Sequence, residues 1–205
     1  MYFKEILGVI LAGGKSIRMG KDKCRLPFGD GTLLSSSINL LRRVVSDYVV
    51  IADSEDRYSD VCVPVWGDLK PGIGPLGGIF TAFTKSKSSY IIVIACDMPF
   101  LEPEFLEYMV NIRSEAQLII PRMSRGYEPL CSVWSITTLE TISNLIKINQ
   151  FSLIKTLPYI TRKEITNWNS NRFPDWENMF WNINDPQDYQ EAIRMSENHE
   201  KIKKQ

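Results

Sequence analysis

The chain has 205 residues, 44% of them hydrophobic, and its 24 lysines and arginines balance its 24 aspartates and glutamates. This length favours one sizeable α/β core over two domains, and the zero net charge provides no overall field toward nucleic acid or an anionic membrane. Four widely spaced cysteines without a C-x-x-C pair argue against a zinc site or a redox motif. The only histidine, His199, lies in a polar C-terminal segment, which argues against histidine-based catalysis.

The hydrophobic pattern predicts strands and helices that alternate along the chain. A buried strand at residues 6–11, an amphipathic helix at 33–45 and a strand at 48–52 form a βαβ unit. Further strands are predicted at 61–66, 90–96, 117–121 and 130–134, and further helices at 76–83, 102–112 and 138–148. Residues 152–171 show only short apolar pieces, and Asp185-Pro186 opens a final helix. No run of about 18 apolar residues and no signal-type segment appears, so a cytoplasmic protein without a membrane anchor is expected.

This alternation predicts a three-layer α/β/α fold with a mostly parallel central sheet. A single domain is expected over residues 1–195, followed by a polar tail at 196–205. Ligands of such sheets bind beyond the carboxyl ends of the parallel strands. Gly13 and Gly14 directly follow the first strand, and Asp97 follows the strand at 90–96. We therefore expect the two strand ends to face one crevice.

The loop after the first strand is rich in glycine and positive charge. Residues 11–23 read Leu-Ala-Gly-Gly-Lys-Ser-Ile-Arg-Met-Gly-Lys-Asp-Lys. Glycine allows backbone N–H groups to approach an anion, and the lysines and arginine match the charge of a triphosphate. The loop is not a Walker motif, because five residues separate Gly14 from Gly20 and Lys21 precedes Asp22 instead of a hydroxyl residue. A tight structural turn is the alternative, but the four cations favour phosphate binding.

Asp97 occupies a place where a magnesium ion bound to a triphosphate could be held. Magnesium prefers one or two carboxylates together with phosphate oxygens and water. An aspartate before Met98-Pro99 is equally suited to cap a loop. The residues alone leave both roles open for Asp97.

Several segments, in chain order, resemble the molybdenum cofactor guanylyltransferases, a family of nucleotidyltransferases. They are residues 11–23, Gly67-Asp68, Gly72 to Gly78, Ala95 to Phe100, Glu128-Pro129-Leu130 and Trp181 to Pro186. The resemblance spans residues 6–195. It implies a Rossmann-like nucleotidyltransferase fold and the transfer of GMP from GTP to molybdopterin, with release of pyrophosphate and formation of the molybdopterin guanine dinucleotide.

The resemblance also assigns roles to the matching positions. It implies nucleotide contacts by Leu11, Ala12, Gly13, Gly14, Lys23, Asp68 and Asp97. It implies catalytic roles for Arg18, Lys23 and Asp97, with Mg²⁺ on Asp97. It places Gly74, Gly78, Asn182 and Asn184 on the molybdopterin side. The glycines near the start of the helix at 76–83 have close packing as their structural alternative, and the two asparagines have simple solvation.

One position departs from the family pattern. Family members often carry asparagine just after the second strand, where this chain has Asp53-Ser54. Either residue replaces that nucleotide contact, or recognition of the base is weaker. Gly13 stands where cytidylyltransferase relatives usually have alanine, which favours guanine.

Two other functions remain open. One is a nucleotidyltransferase with another base or acceptor, such as a molybdopterin cytidylyltransferase or a sugar-phosphate nucleotidyltransferase. The other is a nucleotide-binding module without catalysis. The expected partners are GTP and molybdopterin, with a GTP-binding adaptor and acceptor molybdoenzymes as further candidates. No nucleic-acid partner is expected, and the chain is expected to be a monomer or a weak oligomer.

Overall fold

The computed structural model of the chain describes residues 3–13, 20–169 and 176–203. Within these ranges it confirms an α/β fold whose central sheet is mostly parallel and flanked by helices. The strands are β1 (Phe3–Leu11), β2 (Pro27–Phe28), β3 (Gly31–Thr32), β4 (Val45–Ala52), β5 (Val65–Gly67), β6 (Tyr90–Ala95), β7 (Leu118–Met123), β8 (Gly126–Tyr127), β9 (Cys131–Ser135) and β10 (Arg162–Ile165). The α-helices are α1 (Leu33–Val44), α2 (Pro75–Lys85), α3 (Pro103–Asn111), α4 (Leu139–Lys147), α5 (Leu153–Thr156) and α6 (Pro186–Lys203).

The sheet places three strand ends at one level. Its order is β10-β7-β9-β6-β1-β4-β5, β8 pairs with β7, and β2 and β3 form a separate hairpin. Strand β1 lies between β4 and β6 and is parallel to both, whereas β9 is antiparallel to β6 and β7. Leu11 pairs with Ile51 on one side and with Ala95 on the other. The chain therefore leaves β1, β4 and β6 at the same edge of the sheet.

The central strands are buried on both faces, as their nearly continuous apolar sequences predict. Ile10 belongs to an apolar cluster that includes Phe105 of α3. Its neighbour Val9 belongs to a second cluster, which includes Ile79 of α2 and Ile142 of α4. Successive residues of a strand point to opposite faces, so these two clusters are the two interfaces of a three-layer fold.

The structure differs from the sequence-based prediction in its shortest elements. The strand expected at 61–66 is β5, which has only three residues and pairs with the end of β4. The region from 152 to 171, which gave no clear prediction, contains α5 and the edge strand β10. The strand expected at 130–134 is β9, whose antiparallel direction the apolar pattern does not encode.

The final helix begins where its sequence predicts. Oδ1 of Asp185 accepts hydrogen bonds from the N–H groups of Gln187 and Asp188, at 2.9 and 3.0 Å, and so caps the helix. Helix α6 runs for 18 residues to Lys203, through most of the expected polar tail. In the described part of the chain, no helix combines the length and the apolar character needed to cross a membrane.

Two glycines let α2 pack closely against the sheet and the preceding loop. A Cβ at Gly77 would lie 2.7 Å from the carbonyl oxygen of Lys70 and 2.8 Å from Oδ2 of Asp68. A Cβ at Gly78 would lie 2.5 Å from Cδ2 of Leu11. Close packing therefore accounts for both glycines.

We predict that Gly77→Ala destabilises the fold more than Gly78→Ala does. The Lys70 carbonyl is backbone and cannot rotate away, whereas the end of the Leu11 side chain can. Overpacking of this kind costs about 1–3 kcal/mol, which exceeds or offsets the gain of about 1 kcal/mol in helix propensity from glycine to alanine. Thermal unfolding of the two variants measures the difference. A Gly77→Ala chain as stable as Gly78→Ala would contradict the close approach.

Candidate active site

A cavity of about 1000 Å³ lies at the carboxyl edge of β1, β4 and β6. Nine of the residues selected from the sequence line it: Leu11, Ala12, Gly13, Lys23, Asp68, Gly74, Gly78, Asp97 and Asn184. Gly14 and Arg18 lie outside the described residues. Asn182 does not line the cavity. The expected crevice between the ends of β1 and β6 is thus present, with Leu11 to Gly13 on one side and Asp97 on the other.

Lys23 and Asp97 form an ion pair in this cavity. Nζ of Lys23 lies 2.7 Å from Oδ2 of Asp97, and both side chains are only 16% exposed. At this distance the contact is a charge-assisted hydrogen bond, which is stronger than a bond between neutral groups. Oδ1 of Asp97 is buried and has no hydrogen-bond partner among the described residues. A buried carboxylate oxygen without a partner is suited to accept a cation or a donor from a ligand.

Asp22 fixes the turn that carries Lys23. Oδ1 of Asp22 accepts from the N–H of Cys24 at 3.1 Å and caps the short 3-10 helix Lys23–Arg25. The fully buried Tyr58 hydroxyl lies 3.1 and 3.0 Å from the two Asp22 carboxylate oxygens and 3.2 Å from the Ala12 carbonyl oxygen. Burial raises the pKa of Tyr58 far above its ordinary value, so this hydroxyl remains a donor. Arg57 donates to Asp22 from Nη2 at 3.2 Å.

Asp68 is held by the loop that follows β5. Its N–H donates to the carbonyl of Ala52 at 2.9 Å, which extends the pairing of β5 with β4. Oδ1 of Asp68 accepts from the Thr81 hydroxyl and from the N–H of Lys70, both at 2.8 Å. These bonds hold the Asp68 carboxylate at the cavity wall through Oδ1. The second oxygen, Oδ2, lies next to Gly77 and takes no part in these bonds.

The start of α2 forms another wall of the cavity. Gly72 and Gly74 both have positive φ, at 85° and 75°, a conformation that favours glycine. Pro75 occupies the first turn of the helix. The free N–H groups of a helix N-terminus favour anions, so this wall is compatible with a phosphate or another anionic group.

The C-terminal segment, residues 183–189, contributes to the far wall of the cavity through Asn184. The N–H of Ile183 donates to the carbonyl of Asp97 at 2.9 Å, and this bond places Asn184 on the cavity wall. Further along, the Tyr189 hydroxyl donates to the carbonyl of Pro27 at 2.7 Å. The segment therefore contacts both the end of β6 and the hairpin that follows Lys23.

Asn182 lies behind this wall. Its Nδ2 donates to Oε2 of the buried Glu128 at 3.0 Å. Burial raises the pKa of Glu128, whereas the Asn182 hydrogen bond opposes that shift. The pairing gives Asn182 a structural role beside the site that its sequence pattern does not reveal.

At the departure from the family pattern, Asp53 and not Ser54 lines the cavity. Asp53 forms an ion pair with Arg57, which also lines the cavity. A Cβ at Gly13 would lie 3.2 Å from Oδ1 of Asp53, so the carboxylate lies next to the backbone after β1.

The sequence analysis identified residues that line the cavity but missed the contacts that hold those residues in place. Asp22 belongs to the loop motif, but nothing local indicates that Tyr58 and Arg57, more than thirty residues away, bind it. The same holds for Glu128 and Asn182. Such contacts depend on the folded path of the chain and leave no periodic signal.

Gly13, Lys23 and Asp97 line one cavity at the carboxyl edge of a mostly parallel sheet, and comparison with known proteins shows that the protein is a nucleotidyltransferase. Residues 8–156 match the family described as the MobA-like NTP transferase domain, and the chain belongs to this family. The chain is similar over most of its length to relatives named as probable molybdenum cofactor guanylyltransferases, and the resemblance inferred from the sequence is confirmed.

Two such relatives come from Pelotomaculum thermopropionicum and Clostridium perfringens. The first is 31% identical over 95% of this chain and 95% of its own length. The second is 30% identical over 92% of this chain and 96% of its own length. The fold is similar to the crystal structure of molybdopterin-guanine dinucleotide biosynthesis protein A from Archaeoglobus fulgidus, with a TM-score of 0.82 and 21% identity over 94% of this chain and 99% of that one.

We predict that Tyr58→Phe lowers the stability of the fold by about 1–2 kcal/mol, because Asp22 loses a buried hydroxyl donor while the ring keeps its volume. Urea or thermal unfolding measures the change. Tyr48→Phe is the matched control, since the Tyr48 hydroxyl accepts an exposed hydrogen bond from Arg42 and its removal should change stability by less than about 0.5 kcal/mol. Equal stability of the two variants would show that the Asp22 network does not depend on Tyr58.

Proposed function

We propose that this nucleotidyltransferase transfers GMP from GTP to the terminal phosphate of molybdopterin and releases pyrophosphate. The observation that carries the proposal is the Lys23–Asp97 pair, enclosed in one cavity with the Leu11–Gly13 backbone and Asp68. The names of the similar proteins support the same substrates. Nucleotidyl transfer requires positioning and charge neutralisation more than covalent chemistry by the protein, and this cavity offers both.

Lys23 binds the triphosphate in this proposal. Its ammonium group is held at the cavity by the capped turn, and a triphosphate can replace or share the Asp97 partner. Arg18 and Gly14 would add contacts to the phosphates by resemblance to the family. In this proposal the positive charges of Lys23 and Arg18 stabilise the negative charge that accumulates on the leaving pyrophosphate.

Asp97 is the proposed ligand for magnesium. The residues fit such an ion, because Oδ1 of Asp97 is buried and lacks a partner among the described side chains. The described residues contain no group of three His, Cys, Asp or Glu side chains that would form an all-protein metal cage. A single carboxylate, that of Asp97, suits Mg²⁺, which is commonly held by one or two carboxylates and substrate phosphates. When bound, the ion would supply charge neutralisation at the triphosphate.

The nucleoside is proposed to lie against β1 and β5. Leu11 to Gly13 line the cavity where, by resemblance to the family, the base would lie, and Asp68 offers a fixed carboxylate to the ribose hydroxyls. Asp53 stands beside Gly13 and can accept from the ring N–H and amino group of guanine, which compensates for the departure from the family asparagine.

The acceptor is proposed to enter between α2 and the C-terminal segment, along Gly74, Gly78 and Asn184. Asn182, bound to Glu128, positions this wall. An oxygen of the acceptor phosphate attacks the α-phosphorus of GTP, and the bond to the β-phosphate breaks with its electron pair on pyrophosphate. The attacking phosphate is already an anion at neutral pH, so the step needs no general base.

The test is pyrophosphate release with GTP, CTP or UTP in the presence of Mg²⁺, each with molybdopterin, with a sugar phosphate and with no acceptor. We expect release with GTP that depends on molybdopterin. Faster turnover with CTP or UTP would replace the proposed base. Release with GTP and a sugar phosphate but not with molybdopterin would replace the acceptor. GTP binding without any turnover would indicate a non-catalytic module and overturn the proposal.

We predict that Asp97→Asn lowers kcat by at least about a hundredfold, or about 3 kcal/mol of transition-state stabilisation, while the fold is retained. The amide keeps the size of the side chain but removes the charge that would hold magnesium. Steady-state kinetics over a range of Mg²⁺ concentrations measures the effect. Asp60→Asn is the matched control, because Asp60 pairs with Arg25 at 2.7 Å on an exposed surface away from the cavity. Normal turnover of Asp97→Asn at ordinary magnesium concentrations would refute the metal role.

We predict that Lys23→Ala weakens GTP binding by about 10- to 100-fold, since hydrogen bonds to charged groups contribute about 1.5–3 kcal/mol. Titration calorimetry measures the affinity directly. Arg25→Ala is the control in the same turn, because it removes a cation that faces Asp60 instead of the cavity. If both variants bind GTP as the unmodified chain does, Lys23 is not part of the nucleotide site.

A further inference from the structure

The carboxylate of Asp97, the proposed magnesium ligand, already pairs with a cation of this chain. Nζ of Lys23 lies 2.7 Å from Oδ2 of Asp97, and each side chain is only 16% exposed. Oδ1 of Asp97 is buried and has no hydrogen-bond partner among the described residues. An ammonium group and a metal ion on Asp97 would therefore be close neighbours on one carboxylate.

The backbone on both sides of this ion pair is anchored. Asp22 caps the 3-10 helix that begins at Lys23, through a bond of 3.1 Å from the N–H of Cys24. On the other side, the carbonyl of Asp97 accepts from the N–H of Ile183 at 2.9 Å. Lysine carries its charge on a flexible four-carbon stem. The ammonium group can therefore leave Asp97 by rotation of the Lys23 side chain, without a movement of either chain segment.

Other charges of the cavity wall are balanced in the same way. Asp22 and Asp53 both line the cavity, and both form ion pairs with Arg57. In the part of the chain that the structure describes, no three acidic, cysteine or histidine side chains lie together as they would in a metal cage. A divalent cation alone would find at Asp97 a single oxygen without a hydrogen-bond partner, and an ammonium group beside it. Repulsion between like charges is strong in such a partly buried place.

We propose that Lys23 keeps a lone divalent cation off Asp97, and that a polyphosphate admits the cation by drawing the ammonium group onto its own oxygens. Lys23 therefore makes metal binding at Asp97 depend on the nucleotide. The exclusion of the lone ion follows from the ion pair and holds whichever reaction the protein catalyses. The admission by GTP rests on the function proposed above.

A triphosphate changes the charge balance at the ion pair. Its oxygens offer the ammonium group of Lys23 a second set of acceptors, and this exchange releases Oδ2 of Asp97 for another partner. They also provide ligands that Mg²⁺ takes together with one or two carboxylates. The negative charge of the phosphates compensates both cations, so the repulsion that excludes the lone ion is offset. Because linkage is reciprocal, a triphosphate that tightens metal binding is itself bound more tightly when the metal is present.

The first measurement is the binding of Mn²⁺ to the full chain without nucleotide, followed by electron paramagnetic resonance. Mn²⁺ accepts the same carboxylate ligands as Mg²⁺. We expect Lys23→Met to bind Mn²⁺ at least about tenfold more tightly than the unmodified chain, and the addition of Asp97→Asn to remove that gain. Arg25→Met is the matched loss of a cation from the same turn, where Arg25 faces Asp60, and it should bind Mn²⁺ as weakly as the unmodified chain. Equal Mn²⁺ affinities of the unmodified chain and Lys23→Met, or an equal gain in Arg25→Met, would overturn the proposal.

Lys23→Gln is measured beside Lys23→Met and should also bind Mn²⁺ more tightly than the unmodified chain. It removes the same charge but retains a hydrogen-bond donor for Oδ2 of Asp97. It therefore decides the question if circular dichroism shows that Lys23→Met does not fold. A folded Lys23→Gln chain with no gain in Mn²⁺ affinity would count against the exclusion in the same way.

The second measurement is the binding of GTP to the same variants in the presence of Mg²⁺, by titration calorimetry. We expect Lys23→Met to bind GTP at least about tenfold more weakly than the unmodified chain, although it binds Mn²⁺ alone more tightly. A merely structural role of Lys23 would weaken the binding of both ligands. If Lys23→Met gains Mn²⁺ affinity but binds GTP as the unmodified chain does, the admission by the triphosphate is wrong. If the unmodified chain does not bind GTP at all, the proposed function fails, while the Mn²⁺ titration still decides the exclusion.

Discussion

The parallel register of β4, β1 and β6 is the constraint on which the site depends. Leu11 pairs with Ile51 and Ala95 at one level, so the segments that follow the three strands leave the sheet side by side. A slip of one residue would turn the buried side chains of β1 to the opposite face, and both apolar clusters would lose their partners. The burial of the core therefore fixes the placement of Gly13 and Asp97, although neither residue contributes much to that core.

The charged side chains of the site form local ion pairs, in a chain that has no net charge. Lys23 and Asp97 neutralise each other within the cavity, and Arg57 offsets Asp22 beside it. Partly buried charges need such partners, because desolvation without compensation is expensive. The cavity can exchange these internal pairings for contacts with a charged substrate. Zero net charge is thus compatible with a strongly charged site.

The sequence predicted the parts of the protein whose signals are local. The long apolar strands, the amphipathic helices and the capped start of α6 followed from periodicity and end signals, and the loop motif with Asp97 pointed to the edge of the sheet where the cavity lies. Prediction was poorest where three or four residues form an element, as in β5 and β10, because their pairing comes from the neighbouring strand. The direction of β9 was also hidden. Contacts across the fold, such as Tyr58 with Asp22 and Asn182 with Glu128, have no signature in the sequence. The roles of Gly14 and Arg18 stay predictions.

The bonds made by the C-terminal segment have a consequence for the limits of the domain. The family match ends at residue 156, yet Ile183 binds the backbone of Asp97, and Tyr189 binds the backbone of Pro27, four residues after Lys23. Ile183 and the start of α6 therefore connect the two chain segments that carry the ion pair. A chain trimmed to the matched region would keep most of the sheet but would lose both of these hydrogen bonds, which hold the two segments together. The folded domain therefore extends beyond the residues that match the family.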